Sequence, residues 1–171
     1  MSAEIVNRVS NSKLVTFNLE DYYPAGERVL FDIKDWLLEG FVLREGIFRE
    51  KAAEHDWSRY ENKYVALTCT TDAIVPAWAY MLLATYLQPY AKKSITGSLD
   101  DMETILYTEV LQNMDVSALK DKPVIVKGCS HKPVPDNAYL LLIEKLQPVV
   151  KSLMYGEACS SVPLYKKPKN Q

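Results

Sequence analysis

Lys63-Tyr64-Val65-Ala66-Leu67-Thr68-Cys69 runs on to Val75-Pro76, and Lys122-Pro123-Val124-Ile125-Val126-Lys127-Gly128 runs on to Val134-Pro135 in the same layout. Extended in both directions, residues 56–97 lie on 115–156 without a gap, with 15 identities in 42 positions, where average usage gives about two or three. Asp56/Asp115, Lys63/Lys122, Val65/Val124, Pro76/Pro135, Tyr80/Tyr139, Leu83/Leu142, Pro89/Pro148 and Gly97/Gly156 are among them. Two copies are too few for a solenoid, so the pattern predicts a duplicated supersecondary unit inside one domain.

Each copy reads as a βαβ unit. A short apolar, β-branched run suits a buried parallel strand. A loop closes on Val-Pro, and proline suits a helix start because its missing N–H would be unpaired there. Helices then run to Leu-Gln-Pro, where the second proline ends them. Short strands at 93–96 and 151–155 follow, each stopped by glycine. Between the copies, Ser98-Leu99-Asp100-Asp101 opens a linking helix, residues 98–114, with Leu99, Met102, Leu106, Val110 and Met114 on one face. Residues 1–55 lie outside the repeat. There Leu14–Leu19 and Arg28–Ile33 read as strands that pair antiparallel around Pro24-Ala25-Gly26, and 44–55 reads as a helix with Phe48, like Trp36, in the core. The expectation is an α/β domain with a mostly parallel, doubly wound sheet in order 2-1-3-4 and a tail over 157–171.

Composition bounds the function. The chain has 171 residues, 48% of them hydrophobic and 25% charged, which fits one ordinary folded domain. A net charge of −2 offers no basic excess for nucleic acid or an acidic membrane. The N-terminus lacks a basic, then apolar, leader, and three cysteines are too few for a disulfide scaffold, so a cytoplasmic protein with reduced thiols is expected. Residues 73–91 carry no charge, but Pro76 and Pro89 leave too short a run to span a bilayer. No P-loop and no GxGxxG are present, so no nucleotide cofactor is expected, and neither histidine sits in a visible Ser-His-acid arrangement.

The thiols supply the one chemical constellation. Cys69 and Cys129 follow the first strands of the two copies, and Cys159 follows the Gly156 that ends the last strand. In a single open sheet all three fall at the carboxyl edge, where ligands bind at the point of strand-order reversal. Thiolates select zinc, copper(I) or iron–sulfur clusters, and His131 and Asp72 are available as further ligands. The spacings match no established metal pattern, and cysteine is also among the commonest buried residues, so the same thiols can simply fill strand ends. The run around Gly128-Cys129-Ser130-His131-Lys132 resembles the strand–cysteine–loop–helix layout of rhodanese-type sulfurtransferases. It departs from them in Pro133 and Pro135 and in lacking the loop arginine.

The helix at 76–87 has no charged side. Either residues 1–55 cover it or a second chain does, and a homodimer through Trp78, Tyr80, Met81 and Tyr86 is the expectation.

Several runs together carry a family resemblance: 63–69, 72–76, 78–89, 128–130, 132–135, and the tail Gly156-Glu157-Ala158-Cys159-Ser160 with Val162-Pro163-Leu164-Tyr165-Lys166. Over nearly the whole chain they resemble a family of small bacterial proteins known only as domain of unknown function 2480. The resemblance brings no activity or cofactor; it implies a neighbourhood of iron–sulfur cluster assembly and hence partners there. The sequence therefore points first to an accessory protein of iron–sulfur or sulfur metabolism with a thiolate site. The alternatives are a non-catalytic interaction module with structural cysteines, and a rhodanese-like sulfur carrier using Cys129.

Overall fold

A computed structural model describes residues 14–128, 131–157 and 159–168. It is mixed α/β, with four α-helices and mostly parallel sheets. The strands are β1 (Val15–Phe17), β2 (Arg28–Asp32), β3 (Tyr64–Thr68), β4 (Lys93–Thr96), β5 (Pro123–Val126), β6 (Ser152–Glu157) and β7 (Ser160–Lys166). The helices are α1 (Glu45–Glu54), α2 (Ala77–Leu87), α3 (Leu99–Asn113) and α4 (Asp136–Leu146). Among the described residues no helix is long and apolar enough to cross a membrane.

The chain divides into two compact units. One joins Met1–Pro24 to Thr104–Gln171, and the other is Ala25–Glu103. The first holds a sheet in order β1-β5-β6-β7, parallel except for β7, which runs antiparallel to β6. The second holds the parallel sheet β2-β3-β4.

This corrects the expectation of one doubly wound sheet in order 2-1-3-4. β3 and β5 are not neighbours, because each takes a parallel partner from the N-terminal segment instead. Val15-Thr16-Phe17 aligns with Val124-Ile125-Val126, and Val29-Leu30-Phe31 with Val65-Ala66-Leu67. The expected antiparallel hairpin of β1 with β2 is thereby also overturned. Apolar alternation marks a strand but carries no direction, and both runs have the same form, Val-x-Phe followed by Asn or Asp and then Leu or Ile. In each run the Phe and the Leu or Ile enter a core, and Asn18 or Asp32 caps a 3-10 turn by accepting the amide of Glu20 or Lys34.

The tail is a strand too. β7 carries Pro163 on the sheet edge, where a missing N–H is tolerated, and a register shift at Leu153/Met154 absorbs the irregularity. Each strand–helix–strand run is entered through the same backbone turn: Asn62 and Asp121, which align in the repeat, both adopt the left-handed conformation that Asn and Asp reach most readily.

Candidate functional site

In the second unit the carboxyl ends of β2 and β3 are tied together by one acid. Asp32 accepts the Thr70 amide at 3.2 Å and the Thr70 hydroxyl at 2.5 Å, besides the Lys34 amide at 3.0 Å. Partial burial alone would push its pKa up. The hydrogen bonds from Thr70 and Lys34 outweigh that and hold it below the usual aspartate value. Cys69, half-buried against the aromatic core, has its Sγ 3.4 Å from Thr71 Oγ1, and that hydroxyl donates onward to the Gly40 carbonyl at 2.7 Å. With its single proton given to Gly40, the Thr71 hydroxyl can only accept, and the Cys69 Sγ also lies 3.7 Å from the Thr71 carbonyl, so the thiol faces two acceptors on Thr71. Asp72 lies two residues past Thr70.

In the first unit the corresponding rim is also closed by an acid. Glu20, two residues after the cap Asn18, accepts the His131 amide and, at 2.6 Å, the Lys132 amide. The Lys132 ammonium sits 5.2 Å above the Tyr23 ring. A Cβ at Gly128 would stand 2.8 Å from the Tyr155 ring, so a larger residue there would require that exposed side chain to move. His131 is exposed, Cys159 is exposed in the turn between β6 and β7, and Cys129 lies outside the described residues.

Four of the five expected metal ligands lie among the described residues, and they fall in both units. Cys69 and Asp72 belong to the β2-β3-β4 unit, and His131 and Cys159 to the β1-β5-β6-β7 unit. The single sheet edge expected to gather Cys69 and Cys129 is absent, because β3 and β5 lie in different sheets. Among the described residues no three His, Cys, Asp or Glu side chains form a metal-holding group.

Of the α2 residues expected at a dimer interface, two are engaged inside their own unit. Trp78 meets Phe48 edge-on at 5.9 Å and Tyr86 stacks on Trp57 at 5.4 Å. Residues 45–60 thus supply cover for this uncharged helix. Tyr80 is half-buried, its phenol pushed up by burial and by the neighbouring Cys69 and Asp32, while Met81 is 68% exposed.

The sequence reading overlooked a short bridged turn. Leu38 pairs with Val42, the Leu38 amide donating to Val42 O at 2.8 Å, and Glu39 and Gly40 take positive φ at its tip. The turn leaves Phe41 60% and Val42 52% exposed, and a groove of about 150 Å³ beside it is lined by Trp36, Leu38 and Ile47 together with Glu39, Arg44 and Lys51. The signal available was Leu37-Leu38-Glu39-Gly40-Phe41-Val42, an apolar pair on each side of a turn dipeptide.

No curated protein and no solved structure matches the chain. A family's sequence pattern matches residues 3–167: the chain belongs to DUF2480, a family of proteins of unknown function.

Proposed function

We propose that this chain is a cytoplasmic, non-catalytic interaction module whose contact surface is the Leu38–Val42 turn and the groove beside it. The observation that carries this reading is the pair Phe41 and Val42, held out into solvent by a hydrogen-bonded turn. Large apolar side chains on a fixed turn lose little entropy on binding, and their cover is worth roughly 25 cal/mol per Å². Arg44 and Lys51 outnumber Glu39 in its lining and favour a partner segment that sets acidic residues beside an apolar one.

The thiolate readings are supported less well. The Cys69 proton is engaged by Thr71, and Glu20 occupies the His131 and Lys132 amides that a persulfide in the Cys129 loop would need. We further infer that residues 56–97 and 115–156 are duplicates, because their strands and helices begin at aligned positions: Tyr64 and Pro123, Ala77 and Asp136, Lys93 and Ser152.

Protein purified without oxygen tests the assignment. The interaction reading expects no near-stoichiometric zinc, iron or sulfide. It also expects a C69S/C129S/C159S chain to keep partner capture in cells that Phe41→Ser with Val42→Ser loses. Stoichiometric metal that departs when the cysteines are replaced would restore the cluster-binding reading, with Cys69, Cys129, Cys159, His131 and Asp72 as its ligands.

A further inference from the structure

β4 and β6 are counterparts, beginning at the aligned Lys93 and Ser152, but only one of them is covered. β6 carries β7 along its outer edge, whereas β4 ends the sheet β2-β3-β4. The Gly97 amide donates inward to Leu67 O, so by strand alternation Ile95 also bonds inward to β3, and the main-chain groups of Ser94 and Thr96 face the open edge. Among the described residues no main-chain hydrogen bond reaches Ser94, Ile95 or Thr96 from that side. Their counterparts do have partners: Leu153 pairs with Tyr165, and Tyr155 with Val162.

Side chains repeat the contrast. Where β6 places Leu153 and Tyr155, β4 places Ser94 and Thr96, and a groove of about 180 Å³ lies between β4 and the Tyr80, Met81 and Ala84 face of α2. An uncovered edge next to an apolar helix face is a template for strand addition.

We infer that β4 pairs antiparallel with β4 of a second copy, making a twofold dimer with a continuous six-stranded sheet. The geometry is self-complementary. With the axis at Ile95, the outward groups of Ser94 meet those of the other copy's Thr96, and the reverse, giving four main-chain hydrogen bonds. Lys93 then faces glycine, not another Lys93, so no like charges oppose each other. The two α2 helices come side by side on one face, where residues 73–91 carry no charge and Met81 fills the space left by the small Ser94 and Thr96 side chains.

Light scattering on the full chain at micromolar concentration should give twice the 19.5 kDa chain mass. Ser94→Pro removes an outward amide while leaving the inward ladder to β3, and should halve that mass; Met81→Lys, at an exposed position that folding does not need, should do the same. In a C69S/C129S/C159S background, Ile95→Cys should cross-link two chains on mild oxidation, because the central pair of Cα atoms lies within disulfide range, and Lys93→Cys should not. A single-chain mass for the native protein overturns the proposal. So does a dimer that survives both Ser94→Pro and Met81→Lys, or a cross-link at Lys93 in place of Ile95.

Discussion

The two units fill one strand–helix–strand frame with different chemistry. Around β1-β5-β6 the core is mostly aliphatic, built from Val124, Val126, Leu142, Leu146, Val150 and Leu153 with Phe17 and Tyr107 buried among them. Around β2-β3-β4 it is aromatic: Phe31, Phe48, Trp57 and Tyr60 are buried, with Trp36, Trp78 and Tyr86 packed against them. The frame therefore specifies volume and pattern more than residue type, as close-packed cores generally do. The more aromatic version has more polar handles to meet inside, where the other core has the Tyr107 hydroxyl donating to the Leu19 carbonyl at 3.2 Å. Trp57 Nε1 reaches the Ala52 carbonyl at 2.7 Å and His55 Nε2 lies 3.0 Å from the Tyr60 hydroxyl.

Truncating counterparts is the severest test of this contrast. Trp57 and Val116 occupy the same place in the two runs. Trp57→Ala removes the stack on Phe31 and Tyr86 and leaves the Ala52 carbonyl unpaired, an expected loss of about 3–5 kcal/mol in denaturant unfolding. Val116→Ala should cost about 1–2 kcal/mol, the worth of its lost methyl groups. Equal losses would mean that the aromatic core is no more tightly coupled than the aliphatic one.

The rims carry the same contrast at smaller scale. Asn18 and Asp32 both cap a 3-10 turn, but Asp32 also holds Thr70. Replacing either with Ala should cost about 0.5–2 kcal/mol, with Asp32→Ala at the upper end and Asn18→Ala at the lower. Thr70→Val should bring the Asp32 loss down toward that of Asn18. If it does not, the bond between the ends of β2 and β3 adds nothing beyond the cap.

Much of this architecture is legible in the sequence, and the reason is periodicity. The constant offset between the two runs locates β3, α2 and β4 and their counterparts, since proline and glycine punctuate both runs alike. The sheet assignment is not legible there. β1 and β2 are short alternating runs that fit a hairpin as well as two parallel edges, and the recurrence of Phe17-Asn18-Leu19 as Phe31-Asp32-Ile33 was the cue against a hairpin. Glu103 shows another limit: an acid on α3 reads as solvent-facing, yet it is buried because Arg28, far away along the chain, meets it at 2.6 and 3.1 Å. The cysteines were visible as residues, but their grouping depended on which strands share a sheet, and that is a long-range fact.

His55 gives the finest test of what the aromatic core imposes. Its counterpart is Met114, so the first unit has no titrating group at this place. Burial among Phe31, Trp36, Trp57 and Tyr60 pushes the His55 pKa below its ordinary 6.5, and nearby Arg59 adds to this against the opposing pull of Asp56. The unfolded chain therefore takes up a proton at a pH where the folded chain does not. Stability falls as pH drops through 6.5, and stops falling on this account once the folded histidine is charged. The carboxylates Asp32, Asp101 and Asp115, each held below 3.8 by hydrogen bonds, begin to lose their contributions only near 3.8, so the two declines start at different pH. His55→Met, which installs the counterpart residue, should flatten the decline that begins just below pH 6.5 and leave the acid limb unchanged. A decline of the same size in the variant would place its origin elsewhere than in this core.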